Sequence, residues 1–402
     1  MKIKAFFVIM LLLIASGISL ASCPSAYVHQ SGWVITVLPT NDDDTQNLQC
    51  AFEMGKKIPG ATIQLLRGTY ITGRIVVDGF VGTLRGKGMN ATVVRNPNTS
   101  IYVTPDDCYM VPTDSQSFAL PYLLVLLGGD YRVMDLTFQI VGSAPATDWS
   151  IFGIRNWLGH GITSLAGPVV ILGSDSGKGY REANASFHRV RIKGEVTDDP
   201  LYGYNIYNGI FYEGFSGPDL LPLQGTFAVT DSEFEGMASS APVSNVLNAK
   251  VLITGNRSKN VYYGSDIEDL KNSFYDFSHN EVSGTFGFIM YDNCLGGDSN
   301  CGTSETGIFI KNNKFVATNG VRMEGTFMDG THCMVLGNNF SRVTDTAVYL
   351  GEHTSHCLVM GIGDGKVVDL GKDNIVMGLR RGPSSKSSAI GSAMSKVRGH
   401  DR

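Results

Sequence analysis

The second half of the chain is written in short runs of alternating apolar and polar residues, each followed after a two-residue gap by an asparagine and then another apolar residue. The runs are Leu252 and Ile253 with Asn256; Tyr275 and Phe277 with Asn280 and Val282; Ile308 and Ile310 with Asn313 and Phe315; and Met334 with Asn338 and Phe340. Looser copies precede them at Phe187 and Val190, and at Phe227, Val229, Ser232 and Phe234. Alternation of this kind predicts β-strands with one buried face, and the repeat lacks helical periodicity. From Ser232 through Asn256, Asn280 and Asn313 to Asn338 the steps are 24, 24, 33 and 25 residues. A unit of about 24 residues is too short for a propeller blade and fits one coil of a parallel β-solenoid. Alternate residues then stack in a narrow core and the intervening ones face solvent. An asparagine recurring at one corner bonds to its copy in the next coil, and glycine serves the corners.

Two cysteines test the period independently. Cys333 and Cys357 lie 24 apart, and neighbouring strands sit about 4.8 Å apart, within the reach of a disulfide. They are therefore expected to stack, either bonded or as a pair of thiols. His332 and His356 stack by the same count. Cys294 and Cys301 bracket a polar loop inside the long 33-residue step, which a bridge would pin.

Composition narrows the class. Of 402 residues 48 are glycine, 43% are hydrophobic and 17% are charged, too apolar for disorder and without a collagen period. Residues 1–22 read as an export signal, with Lys2 and Lys4 before an apolar core from Ala5 to Ile14. Leu20-Ala21-Ser22-Cys23 also resembles a bacterial lipobox, so two readings stand: lipidation of Cys23 or ordinary cleavage after Ala21. The product is thus secreted, periplasmic or lipid-anchored, where disulfides are allowed. Residues 23–40 are a lead-in, 41–380 the repetitive body and 381–402 a disordered basic tail. Setting aside the two leader lysines, and the six bases and one acid from Arg380 onward, leaves 24 bases against 36 acids, a net −12. Such a body excludes a nucleic-acid footprint and disfavours a strongly anionic polymer as partner. A membrane enters only through the lipid anchor.

Near the start, the run from Asn41 through Asp42-Asp43-Asp44-Thr45 to Phe52 precedes Gly60-Ala61-Thr62-Ile63-Gln64-Leu65 and Gly68-Thr69-Tyr70. This resembles the N-terminal cap and first coil of the pectin lyase-like right-handed parallel β-helix superfamily. The resemblance continues at Gly86-Lys87-Gly88 and Thr92-Val93-Val94 and covers roughly residues 40–380. It implies an all-β, right-handed parallel β-helix with a short capping helix, N-capped by Asp44 or Thr45. It does not imply one chemistry, because the superfamily includes lyases, hydrolases, epimerases, esterases and adhesins.

Gly159-His160-Gly161 and Arg191-Ile192-Lys193 look like polygalacturonase signatures, but the acid trio that inverting hydrolysis requires is missing; upstream lie only Asp130, Asp135 and Asp148. No motif demands a cofactor; Asp364 and Asp369 among glycines leave calcium open. Carrying the coil period past the corner asparagines places Phe288, Met290, Val321 and Met323 inward. Outward neighbours then include Ile289, Tyr291, Arg322 and Glu324, with Tyr349, Glu352 and His353 in the next coil, and Tyr212-Glu213, Tyr262-Tyr263 and Asp266 in earlier ones. Tyrosines suit stacking on sugar, and Arg322, Glu324 and His353 are the candidates for clamping a carboxylate or moving protons. Tyr212, Tyr291 and Tyr349 are the candidate substrate contacts. Two functions follow: an exported lyase or glycoside hydrolase acting on polysaccharide, or a non-catalytic surface protein that binds glycan in an adhesin-like way.

Overall fold

The computed structural model describes residues 26–97, 109–111, 118–120, 122–142, 155–156, 167–196, 204–214, 221–291, 302–363 and 365–381. The expectations for the leader, Cys23, His160, the loop bounded by Cys294 and Cys301, Asp364 and the tail after Arg381 lie outside the described residues.

The described chain contains one α-helix; its other regular elements are strands. Twenty-nine of these strands join in one hydrogen-bonded network. Its pairings are parallel except for the hairpin Val28–Ser31 with Val34–Val37 and the short pair Ser174–Asp175 with Arg181–Glu182. Parallel partners are one coil apart in sequence. Phe277 lies opposite Ile310, Ile310 opposite Val335, Val335 opposite Val359, and Val359 opposite Val376. The inward residues Tyr275, Phe277, Ile308, Ile310, Val335 and Val359 are at most 1% exposed. Burying one such side chain stabilises by about 1.5–3 kcal/mol, and stacking repeats the gain in every coil.

The corner asparagines form the expected ladder. Asn256 N and Nδ2 donate to Asn280 Oδ1 at 2.9 and 3.1 Å, Asn280 repeats this to Asn313, and Asn313 to Asn338. Each Nδ2 also donates to a carbonyl of the preceding strand, as from Asn280 to Ile253 O at 2.9 Å. The residue before each rung is left-handed, with φ of 72° at Gly255, 57° at His279, 55° at Asn312 and 62° at Gly337. Glycine thus fills two of these four corners; His279 and Asn312 fill the others and carry the strain of that conformation.

Cys333 and Cys357 face one another in register and are disulfide-bonded inside the core. His332 and His356 flank them on the outside with ring centroids 6.1 Å apart. At the other end, helix α1 (Thr45–Gly55) buries Leu48, Ala51 and Phe52 against the first coils, and Phe52 meets Phe80 edge-on at 5.4 Å. Asp44 holds the N-cap position, but its side chain does not bond the helix amides. Its carboxylate accepts instead from Thr40 N at 3.1 Å and Asn47 Nδ2 at 3.2 Å, while Asp43 Oδ1 accepts from Thr45 N at 2.9 Å.

One sheet departs from the expected pattern of inward apolar and outward solvated residues. Val125, Val170 and Phe211 alternate with core positions yet are only 0–2% exposed. Strands buried on both faces carry apolar residues without alternation. Tyr212, expected outward, belongs to the inward set: it pairs in register with Ile171 and Val243, is fully buried, and donates from its hydroxyl to carbonyls of the neighbouring turn. A ring so enclosed cannot stack on a sugar.

Candidate functional site

The doubly buried sheet continues into a polar strip. The chain reaches it through a sharp corner made of stacked glycines. A Cβ on Gly264 would lie 2.2 Å from Gly287 O, and one on Gly287 would lie 2.2 Å from the Phe315 ring and 2.5 Å from Gly320 O. Only glycine permits this approach of successive backbones. Ser265, the next residue, donates to Ala241 O at 2.7 Å, and Tyr275 OH sits 2.9 Å from its oxygen, holding the turn from the core side.

Past the corner runs the strand Asp266–Lys271. Ile267 points into the core, so Asp266 and Glu268 share the opposite face, with Cα atoms about 6.6–6.8 Å apart. Register places Tyr291 beside Glu268 on one flank and Ser244 then Glu213 on the other. The Tyr291 hydroxyl donates to Asp266 Oδ2 at 3.1 Å and is hydrogen-bonded with Glu268. Ser239 donates to Asp266 Oδ1, and Ser244 to Glu268 Oε2 at 3.4 Å.

Burial disfavours ionisation of all three carboxyls. It raises Asp266 to about 6, against the hydroxyl hydrogen bonds that favour its charged form. Glu268 rises to about 8, with further repulsion from Asp266 and Asp269. Glu213 is pushed well above its ordinary value by burial and by the charges of Glu268 and Asp266. It is 1% exposed, and its Oε2 has no hydrogen-bond partner among the described residues. Burial thus pushes both carboxyls of the strand up toward neutrality, Glu268 further than Asp266.

Across the glycine corner lies an aromatic shelf. Tyr262 and Tyr263 stand edge to face at 4.7 Å, and both rings meet Phe286, at 5.6 and 5.5 Å. Arg322 lies over Tyr349 at 4.9 Å and over Phe286 at 5.8 Å, and its guanidinium is bonded to Glu324 at 2.5 Å. That bond holds the guanidinium above its usual range. All four rings are partly exposed.

The structure therefore brings together Tyr291, Arg322, Glu324 and Tyr349 from the residues expected by sequence. Arg322 lies opposite Ile289, itself opposite Asp266, two rungs or about 10 Å of backbone from the acids. His353 lies beyond the turn at Gly351; its imidazole is exposed and bonds to no other described residue. Asp135 sits apart in an ion-paired trio with Arg85 and Arg189, and Arg191 is paired with Glu233. Neither belongs to this strip. Glu268 was missed by the sequence reading, and Glu213 and Asp266 were placed near the strip without a role. The Asp-Ile-Glu alternation was the available signal. Among the described residues no group of three or more His, Cys, Asp or Glu is arranged to hold a metal ion.

No protein-family model and no curated protein sequence matches the chain. A polygalacturonase from Erwinia carotovora subsp. carotovora superposes with a TM-score of 0.55 at 12% identity, over 88% of this chain and 94% of its own. The likeness is one of fold. The mannuronan C-5 epimerase AlgE4 A-module of Azotobacter vinelandii gives 0.45 at 12% identity over 87% and 96% of the two chains. The surface adhesin PfbA of Streptococcus pneumoniae gives 0.46 at 12% over 87% and 90%.

Proposed function

We propose that the protein is an exported right-handed parallel β-helix enzyme that hydrolyses glycosidic bonds of a polysaccharide at Asp266 and Glu268. Export is inferred from the leader at residues 1–22 alone. The chemistry rests on one observation: two carboxyls on one strand face, both bonded to Tyr291 OH, with pKa values raised to about 6 and about 8. Groups poised on either side of neutrality divide acid from base work. Glu268 gives its proton to the leaving glycosidic oxygen as the C–O bond breaks. Asp266 supplies the carboxylate that delivers water to the anomeric carbon or first bonds to it. Tyr291 holds both carboxyls in place, and the shelf of Tyr262, Tyr263, Phe286 and Tyr349 stacks on the sugar units beyond the cleaved bond.

The test is reducing-end release from a polysaccharide panel, with and without calcium, alongside ultraviolet detection of unsaturated products. The expected kcat/KM profile is a bell with limbs near 6 and 8, and Glu268→Gln and Asp266→Asn each lower the rate by roughly 10²–10⁴-fold. Unsaturated products would make the protein a lyase. Glycan binding without turnover would leave the adhesin-like reading standing.

A further inference from the structure

The same site carries a statement about substrate charge, which rests on the hydrolase reading. The strip presents Glu213, Asp266 and Glu268 along neighbouring rungs, with Glu213 1% exposed and its Oε2 unpartnered among the described residues. Glu324 stands at the shelf's edge, where its amide bonds Met290 O beside Tyr291. Arg322, the cation between shelf and strip, gives one terminal nitrogen to Glu324 at 2.5 Å and lies over two aromatic rings, while its Nε has no hydrogen-bond partner among the described residues. A uronate seated on the shelf would have to share Arg322 with the Glu324 carboxylate already bonded to it and place its own charge within two or three rungs of the Asp266 carboxylate. Like charges brought together in this way disfavour binding, and a body of net −12 adds to the repulsion. Tyr262 and Tyr263, the two rings of the shelf that Arg322 does not lie over, ask for no charge from the ligand and suit the C–H faces of a pyranose.

We propose that this site is selective for uncharged glycans, and that the Glu324–Arg322 pair is its specificity device, occupying the guanidinium that would otherwise accept a sugar carboxylate. Glu324 is a positioning residue here, acting through Arg322.

The experiment uses neutral polysaccharides and the same polymers carboxylated at C6, so that linkage is constant and only charge differs. Binding is read by affinity electrophoresis with the Glu268→Gln protein, which keeps the Asp266 carboxylate, and turnover by reducing ends with the unaltered chain. Neutral polymers are expected to bind at least about tenfold more tightly, with added salt narrowing the gap by screening. Glu324→Gln is expected to narrow it further by strengthening binding of the carboxylated polymers, an effect that mere loss of packing would not produce. Equal or stronger binding of the carboxylated forms overturns the proposal, as does a Glu324→Gln protein with unchanged preference. Neutral preference in binding without any reducing ends removes the hydrolase reading and leaves the selectivity; no binding to either set removes both.

Discussion

Burial of Glu268 costs stability as its carboxyl ionises. Its carboxyl titrates near 8 in the folded chain against a reference of 4.5. Folding therefore takes up a proton that the unfolded chain has released. The contribution is most favourable below about pH 4.5 and is lost as the pH rises through 8. Asp266, raised to about 6 from 3.8, acts in the same sense over a lower window. Glu268→Gln keeps the shape and removes the titration. It is expected to melt higher than the parent protein at about pH 8.5, by roughly 1–2 kcal/mol once solvent access to the side chain is discounted. The difference should shrink toward zero at about pH 4.5. Thermal melts at the two pH values check this; a variant no more stable at the higher pH would mean that Glu268 ionises freely. A stabilised but inactive variant is the pattern expected where an active site stores strain.

At the scale of elements, the asparagine ladder joins coils that hydrophobic stacking alone would leave free to slip. Asn280 accepts from Asn256 N and Nδ2, and donates to Asn313 Oδ1 and Ile253 O. Asn280→Ala leaves buried donors and an acceptor without partners and is expected to cost about 2–4 kcal/mol. The loss should appear as a lowered denaturation midpoint, with hydrogen exchange rising first near Asn256 and Asn313. A neutral substitution would show that the ladder follows the fold without holding it. This ladder was legible in the sequence because its spacing is set by coil length and its side-chain chemistry recurs. The core of each coil was legible for the same reason, through Tyr275, Phe277, Ile308 and Ile310. The second buried face was not: from Tyr122 to Leu126, and again from Ile210 to Glu213, every residue is enclosed, so alternation vanishes and Tyr212 reads equally well outward. The acid pair was hidden for another reason. Asp266 and Glu268 are ordinary strand residues until register brings Tyr291 and Glu213 beside them, and burial, not spacing, shifts their titration.

In the whole molecule, each coil touches mainly its neighbours, so stability is close to a sum over coils and damage should stay local. The bond between Cys333 and Cys357 closes a loop across 24 residues, which constrains the unfolded chain by about 3 kcal/mol. That constraint acts on the coils from His332 onward. Tyr349 belongs to those coils, whereas Asp266, Glu268 and Tyr291 lie in earlier ones. Cys333→Ser with Cys357→Ser is thus expected to raise hydrogen exchange in residues 332–377 and leave 266–291 protected. Loss of order around Tyr349 should loosen the ring that lies over Arg322. In the proposed function the shelf binds and the acid pair reacts, so the KM for polysaccharide is expected to rise several-fold while kcat stays within about twofold. Equal loss of protection along the whole chain, or a fall in kcat with KM unchanged, would show that the coils act as one cooperative body and that shelf and acids are not separable.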